Sequence, residues 1–179
     1  MKKISFLFML CLIFWGLDTS NAQIKLVLNG GVQFPTGDFK TLVPGADTKM
    51  GFGGTVDGEY TISNSPTSTI AITASVGYNR WSFDTPSSFT GEAYVDGTTI
   101  MGGAKFFFQQ FYFGGSAGIV NPGITVTGLT MTFDSEFIWS LTAGTRIDKF
   151  DINAKYYSFS SAGVTLPWFG VNVGYVFDL

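Results

Sequence analysis

The side chains that most often carry out catalysis are scarce in this chain. It contains no histidine and a single cysteine, Cys11. Histidine is the usual general base near neutral pH, and imidazole and thiolate are the usual ligands of transition metals. The sequence therefore predicts no disulfide, no transition-metal site and no cofactor, and it argues against an enzyme that needs either group. A calcium site formed by Asp38 and Asp47 is an alternative to the prediction of no metal, but their spacing matches no known calcium loop.

Two carboxylates, Asp57 and Glu59, lie two residues apart, which places them on one face of a strand. A carboxylate pair can divide acid and base roles between its members. The interpretation favoured here is that both are buried charges paired with cations, because a buried charge needs a partner. We predict an internal network of ion pairs formed by Lys25, Asp57, Glu59, Lys105, Glu136, Arg146, Asp151, Lys155 and Asp178.

Residues 1–22 are typical of a secretory signal peptide. Lys2 and Lys3 precede an apolar run from Ile4 to Leu17, and Ser20-Asn21-Ala22 forms a small-residue cleavage site. The apolar run is shorter than the roughly 20 residues of a membrane-spanning helix. We therefore expect residues 23–179 to be a single secreted domain, with an uncleaved N-terminal anchor as the alternative.

Composition points to a surface that meets lipid. Charged residues make up 13% of the chain, against about a quarter in ordinary soluble domains. Cleavage of the signal removes two lysines and one aspartate, which leaves eight basic residues, twelve acidic residues and a net charge of −4. That balance argues against nucleic acid as a partner, because phosphate binding needs clustered lysine and arginine.

The hydrophobic pattern after the signal has a period of two, which is typical of strands. Most of the predicted strands reach the length that a tilted strand needs to cross a bilayer, about 9–11 residues. The predicted strands are eight: 23–34, 50–63, 69–82, 93–108, 110–120, 130–147, 150–159 and 167–179.

The connections between these strands alternate in length. We predict longer loops at 35–49, 83–92, 121–129 and 160–166, and tight turns at 64–67, 109–110 and 148–149. Long loops on one side and short turns on the other are the asymmetry of outer-membrane barrels, whose short turns face the periplasm. This alternation predicts an all-β fold, an eight-stranded antiparallel up-and-down transmembrane β-barrel.

The two faces of the strands agree with that fold. In the second strand, Phe52 and Val56 oppose Asp57 and Glu59, and Ser63 is expected on the inward face with the carboxylates. An interior of threonine, serine, asparagine and charge suits a membrane barrel and not a soluble sandwich core. Antiparallel neighbours have a constant index sum, so Arg146 should face Asp151 and Lys25 should face Asp178.

Two short motifs carry a resemblance to a known family. These are Asn172-x-Gly174-x-x-Phe177-x-Leu179 at the end of the last strand and Phe34-Pro35-Thr36-Gly37-Asp38-Phe39 at the end of the first. With the strand pattern, the chain resembles the eight-stranded outer-membrane barrels, meaning OmpA-type barrel domains and their small porin-like relatives. It departs from the pattern in ending on Leu179, where phenylalanine is commoner.

The resemblance implies a location in the bacterial outer membrane, with membrane lipid and the barrel assembly machinery as partners. Asn172, Gly174, Phe177 and Leu179 match the family's C-terminal assembly signal. The peptidoglycan-binding domain of the larger relatives does not follow the last strand, so cell-wall tethering is not carried over. The barrel enzymes of this membrane (lipid A deacylases, palmitoyltransferases and omptin-like proteases) rely on a histidine that this chain lacks.

Three functions are compatible with the sequence. The first is a structural or surface-interaction role through the four longer loops, since an eight-stranded barrel has an interior just wide enough for side chains and is no general-diffusion pore. The second is a narrow channel for small solutes or ions. The third is a secreted lipocalin-like carrier of an apolar ligand, which needs the reverse arrangement of polar and apolar faces.

Overall fold

The computed structural model describes residues 24–41, 47–83, 91, 93–126, 128–161 and 163–179. The signal peptide predicted at 1–22 lies outside these residues, as does most of the loop predicted at 83–92. Within the described residues, no helix is long and apolar enough to cross a bilayer.

The described part of the chain forms nine strands and one short 3-10 helix, η1. Alternating side chains and runs of β-branched and aromatic residues favour strands along most of this length. In chain order the elements are β1 (Ile24–Pro35), η1 (Gly37–Phe39), β2 (Gly51–Asn64), β3 (Ser68–Ser82), β4 (Ala93–Phe108), β5 (Phe111–Val126), β6 (Leu129–Thr132), β7 (Glu136–Ile147), β8 (Phe150–Ser161) and β9 (Val164–Asp178).

Eight of these strands close into one antiparallel barrel. Each pairs with its neighbour along the chain, and β1 pairs with β9 from Lys25↔Asp178 to Pro35↔Trp168. The short β6 pairs with the end of β5 as a hairpin extension, while β7 takes the next place in the barrel beside the rest of β5. The predicted eight-stranded up-and-down barrel is therefore confirmed.

The connections only partly follow the predicted alternation. The three tight turns after β2, β4 and β7 lie where the sequence predicts them, at 65–67, 109–110 and 148–149. The loop predicted at 121–129 is wrong, and so is the single strand predicted at 130–147, because β5 continues to Val126 and folds back as β6 before β7 begins. A hydrogen bond of 2.9 Å between the hydroxyls of Thr125 and Thr130 joins the two arms of this hairpin.

The loop predicted at 160–166 is also wrong. Strand β8 runs to Ser161 and β9 begins at Val164, so the connection is a tight turn. Gly163 has a φ of +82°, a conformation that glycine adopts without the steric cost that other residues meet. Ser160, Ser161 and Thr165, which the sequence predicts in a loop, belong to the paired ends of β8 and β9.

The outer face of the barrel is apolar along all eight strands. Its exposed side chains include Leu28, Phe52, Val56, Ile72, Val76, Ile100, Ile119, Phe137, Leu141, Ile152, Val171 and Val173. Phe108, Phe111 and Phe113 surround the turn at 109–110 and are more than half exposed, as expected of an interfacial aromatic girdle. This arrangement is the reverse of a soluble carrier, so the lipocalin-like alternative is wrong.

One strand departs from the predicted alternation. A β-bulge in β2 shifts the register between Thr61 and Ser63, so that Ser63 pairs with the outward-facing Ile70. Ser63 therefore does not lie on the inward face with Asp57 and Glu59, as the alternation predicts. A bulge inserts one residue into the pairing and reverses the faces beyond it, and no residue type in this segment signals its position.

The interior is divided into two layers, which corrects the expected uniform polar lumen. The half of the interior near the turns after β2, β4 and β7 holds charged side chains and amides. The half near the longer connections holds an apolar core that includes Val95, Met101, Val120, Ile138 and Leu166. At its centre is a group that we call the aromatic cluster: Phe39, Trp81, Tyr157, Phe159 and Trp168.

A charged side chain on the outer face should lower the free energy of unfolding strongly in the middle of the barrel and only slightly at its rim. Val76 lies at the middle of β3 and is 52% exposed, while Ser82 ends the same strand on the same face. Val76→Arg should lower the free energy of unfolding by about 2–4 kcal/mol in lipid vesicles, and Ser82→Arg by about 0–1 kcal/mol. Denaturant titration measures both; equal losses would contradict the assignment of this face to lipid.

Candidate functional site

The chemically richest part of the molecule is a group of inward-facing side chains in the half of the barrel near the short turns. We call it the charge network: Asp57 and Glu59 from β2, Lys105 from β4, Arg146 from β7 and Asp151 from β8. Each lies on the inward face because side chains alternate along a strand. Four separate strands therefore contribute one continuous set of ion pairs.

Glu59 is the centre of the charge network. One carboxylate oxygen accepts a hydrogen bond of 2.7 Å from Lys105 Nζ, and Arg146 donates to both oxygens at 3.0 and 3.1 Å. Asp57 lies 3.5 Å from the same Lys105 ammonium. Glu59 is 3% exposed, so its charge depends on these two cations and not on water.

Asp151 is the second anion held by Arg146. The guanidinium donates to Asp151 at 2.9 Å, while Tyr112 and Asn153 each donate to the other carboxylate oxygen at 2.7 Å. Asp151 is fully buried, and these donors replace the water it loses. From here amides continue the hydrogen bonding along the barrel: Asn172 donates to Asn153 at 3.0 Å, and Gln33 donates to Asn172 at 3.0 Å.

The other residues predicted for the internal network lie at different heights of the barrel, and Lys155 is the one beside the charge network. Lys155 lines a cavity of about 10 Å³ beside Asp57 and Lys105, with its ammonium 5.0 Å from the centre of the Tyr157 ring. Glu136 lies at the opposite end of the barrel, where it accepts a hydrogen bond of 2.9 Å from Ser161.

The predicted pair of Lys25 and Asp178 lies at the rim and not inside. The two side chains are 3.6 Å apart, and Lys149 approaches the same carboxylate at 3.8 Å. Both members are partly exposed to solvent, so the pair contributes little to stability. The predicted internal network therefore divides into a buried centre and a solvated rim.

The residues of the predicted assembly signal fall on both faces of β9. Asn172 is buried inside the barrel, and Gly174 lies inward against the side chain of Asn29. Phe177 and Leu179 are exposed on the outer face, 40% and 71% respectively. Recognition of this motif by the assembly machinery stays a prediction.

Sequence reasoning missed Tyr112, Asn153 and Gln33 as members of the polar interior and Phe39 as part of the core. Alternation gives the face of a side chain but not its depth in the barrel or its partners. The positions of the glycines could have indicated the bulky inward side chains, because such a side chain lies opposite a glycine on the neighbouring strand. A Cβ at Gly144 would come within 2.7 Å of the Tyr112 ring, and one at Gly51 within 2.5 Å of Trp81.

The arrangement of the charge network is suited to holding strands together. Asp57 and Glu59 share one ammonium, and a guanidinium binds both oxygens of Glu59, whereas Asp57 Oδ1 is buried without a hydrogen-bond partner among the described residues. The described residues contain no group of three or more histidine, cysteine or carboxylate side chains placed to hold a metal ion. The network links β2, β4, β7 and β8 across the interior.

Comparison with solved structures defines the fold. Neisserial surface protein A (NspA) superposes with a TM-score of 0.60 at 12% identity, over 89% of this chain and all of that one. Ail of Yersinia pestis, in its complex with the heparin analogue sucrose octasulfate, gives a TM-score of 0.56 at 15% identity, over 87% and 99% of the two chains. The chain is an eight-stranded outer-membrane β-barrel.

The barrel crosses the bacterial outer membrane with its strands. In barrels of this kind the short turns between strands face the periplasm, which is the side expected for the three turns after β2, β4 and β7. No protein-family model matches its sequence. No curated protein sequence is significantly similar to it either. At these identities the likeness to NspA and Ail establishes the fold and leaves the activity open.

The same fold also includes enzymes. The barrel superposes on the outer-membrane enzyme PagL with a TM-score of 0.50 at 11% identity, over 84% of this chain and 98% of that one. Whether a barrel of this kind is catalytic is decided by its side chains and not by its architecture.

Removing Glu59 tests the importance of the charge network. Glu59→Gln leaves Lys105 and Arg146 without their shared carboxylate, and the uncompensated buried charge should cost about 3–5 kcal/mol of unfolding free energy. The matched control is Asp178→Asn in the rim pair, which should cost about 0–1 kcal/mol. Denaturant unfolding in lipid vesicles measures both, and similar losses would show that the buried network is not a major source of stability.

Space beside Tyr112 provides a second test. A Cβ at Gly144 would lie 2.7 Å from the Tyr112 ring and 2.8 Å from the Ile152 carbonyl oxygen, whereas one at Gly102 meets its nearest atom at 3.8 Å. Gly144→Ala should therefore cost about 1–3 kcal/mol by overpacking, and Gly102→Ala should cost little. Equal stability of the two variants in the same assay would disprove the tight packing of Tyr112.

Proposed function

We propose that the barrel is a structural and surface-interaction protein that displays its extracellular connections and is not a general-diffusion pore. The observation that carries this proposal is the filled interior. The charge network occupies the periplasmic half and the aromatic cluster the extracellular half, and two cavities between these inward-facing side chains measure only about 10 Å³ each. Such a cavity holds about one water molecule.

The corrected connections identify what is displayed. The surface consists of the segment after β1, which includes η1, the β5–β6 hairpin, and the connection predicted at 83–92. The turn between β8 and β9 is too short to contribute much contact area. Loops carried on a rigid scaffold are the usual place for recognition, so the hairpin and the η1 segment are the preferred contact regions.

The charge of this surface favours a neutral or cationic partner. Its described carboxylates outnumber its cations: Asp38, Asp47, Asp96, Asp134 and Glu136 against Lys40, Lys49 and Arg80. Arg80 is itself within 3.8 Å of Asp96. Ail was solved with a sulfated heparin analogue, but an acidic rim repels such an anion, so that ligand is not carried over to this barrel.

We further infer that the barrel is not an enzyme. The chain contains no histidine, and its paired carboxylates are bound by Lys105 and Arg146. Assembly into the membrane through the outer-membrane assembly machinery belongs to the same proposal and is supported by the C-terminal motif.

A narrow channel for ions or small solutes is the second candidate. Its support is the continuous polar path from Arg146 through Asp151, Asn153 and Asn172 to Gln33. The path ends beneath the aromatic cluster, so conduction requires that the cluster open.

Single-channel recording of the purified barrel in planar bilayers separates the two candidates. We expect no conductance steps, because the described interior is filled. Samples should first migrate differently on SDS gels with and without boiling, as folded barrels do, so that a flat trace is not due to unfolded protein. Regular conductance steps from folded protein would favour the channel and contradict the proposal.

Surface display is tested by labelling single cysteines on intact cells. Asp134 lies after the β5–β6 hairpin and Pro66 in a periplasmic turn, and both are exposed. A membrane-impermeant maleimide should label Asp134→Cys and leave Pro66→Cys unlabelled, while both react after lysis. The unmodified protein is the control for Cys11, and labelling of Pro66→Cys on intact cells would overturn the orientation.

A further inference from the structure

Phe39 fills the extracellular mouth of the barrel from above. It is carried by η1, outside the barrel wall, yet it is only 1% exposed. Its ring lies edge-on to two tryptophans of the wall, with centroids 4.8 Å from Trp81 and 6.0 Å from Trp168. The Phe39 ring therefore occupies a slot the size of one aromatic ring, which we call the Phe39 slot.

The wall around the Phe39 slot contains polar groups that the protein does not satisfy. Asn79 Nδ2, Trp81 Nε1 and Trp168 Nε1 are buried donors with no hydrogen-bond partner in the described part of the chain, and all three side chains line the same small cavity as Phe39. Buried polar groups are normally paired. A phenyl ring offers these donors no lone pair, so a ring that carries an acceptor matches the slot better than Phe39 does.

The space next to Phe39 is too small for a ligand of that kind. A cavity of about 10 Å³, lined by Phe39, Asn79, Trp81 and Trp168 among others, is about the size of one water molecule. A ring-sized ligand fits only where the phenyl ring now lies. Ligand and Phe39 must therefore compete for one volume.

Withdrawal of Phe39 leaves the barrel strands paired. The segment is held at its start by two bonds to the Pro167 carbonyl oxygen, from Thr36 N at 3.0 Å and Thr36 Oγ1 at 3.1 Å, and after η1 by a bond of 2.8 Å from Thr48 N to the Lys40 carbonyl oxygen. Phe39 is the buried residue of η1, and Gly37, the first residue of η1, has a φ of +54°. None of these contacts belongs to the pairing of β1 with β2 or β9.

We propose that the Phe39 slot is a binding site for a small planar ring that carries a hydrogen-bond acceptor, and that Phe39 is its internal competitor. The ligand enters from the extracellular side, packs against Trp81 and Trp168, and accepts hydrogen bonds from the unpaired donors. The charge network closes the barrel below, so the site binds its ligand and does not pass it on. This function is additional to surface display and does not depend on it.

Tryptophan fluorescence tests the proposal because the slot contains two of the three tryptophans that follow the signal sequence. In Trp139→Phe, only Trp81 and Trp168 remain after residue 22. The probe is 4-nitrobenzyl alcohol, a neutral ring with acceptor oxygens whose nitro group quenches indole. The control is the double variant Trp81→Phe, Trp168→Phe, which retains Trp139 on the outer face. Quenching of Trp139 reports the probe that is dissolved in the detergent. We expect saturable quenching in Trp139→Phe and linear, non-saturable quenching in the control.

Removing the ring of Phe39 tests whether the probe binds in the Phe39 slot or in any cavity within the aromatic cluster. In the Trp139→Phe background, Phe39→Ala should bind the probe about tenfold more tightly or better, because binding no longer has to displace the ring. Phe159→Ala is the matched variant: its ring belongs to the same cluster, 6.0 Å from Trp168, but it comes from the wall. Its affinity for the probe should change by less than about threefold, because the competitor stays in place.

The requirement for a hydrogen-bond acceptor on the ligand is tested with p-xylene, an aromatic ring of similar size that carries no acceptor. We expect it to compete at least about tenfold more weakly than 4-nitrobenzyl alcohol, since a buried donor left unpaired disfavours the apolar ligand. The proposal is overturned by linear quenching in Trp139→Phe, by equal gains in Phe39→Ala and Phe159→Ala, or by equal competition from p-xylene. Should Phe39→Ala fail to fold, quenching and competition in Trp139→Phe still decide the outcome.

Discussion

The constraint on which this structure depends is that a sheet crossing a bilayer has to close. Lipid offers no hydrogen bonds to the backbone, so an open edge strand inside the membrane is not tolerated. Here closure is made by β1 and β9, which pair over eleven positions from Lys25↔Asp178 to Pro35↔Trp168. Once that register is fixed, alternation assigns every side chain of both strands to lipid or to the interior.

Closure also creates the need for a filled interior. An eight-stranded barrel is narrow, so the inward side chains must satisfy one another within a small volume. The barrel meets this need in two ways. Near the periplasm, Glu59 and Asp151 are bound by Lys105, Arg146 and Tyr112; near the outside, aromatic rings pack against each other, with Tyr157 stacked on Trp168 at 4.7 Å. The first layer satisfies charge, and the second excludes water.

The boundary between the charged layer and the aromatic layer is the part of the interior that bears most directly on function. The amides of Asn153, Asn172 and Gln33 carry hydrogen bonding up from the charge network, and Gln33 ends that path with one oxygen unsatisfied beneath the tryptophans. Phe39 then closes the mouth from outside the wall. NspA, Ail and PagL share the architecture, so the role of this barrel must be sought in such particulars and not in the fold.

The sequence by itself determined the fold, because alternation of two, the short turns and the apolar face are local features that a single chain records. It also determined that Arg146 faces Asp151 and Lys25 faces Asp178, since an antiparallel turn fixes the first pair and barrel closure the second. It did not determine where strands end, as the extension of β5 to Val126 and of β8 to Ser161 shows, because serine, threonine and glycine occur in both loops and strand ends.

Only the tertiary structure decided what lies at each depth of the interior. The bulge that moves Ser63 to the outer face and the inward turn of η1 that buries Phe39 depend on contacts between segments far apart in the chain. The three-way sharing of Glu59 with Lys105 and Arg146 joins β2, β4 and β7 across the barrel. Periodicity gives a direction for each side chain, but partners on strands that are not adjacent are set by the closure and curvature of the barrel, which no local pattern encodes.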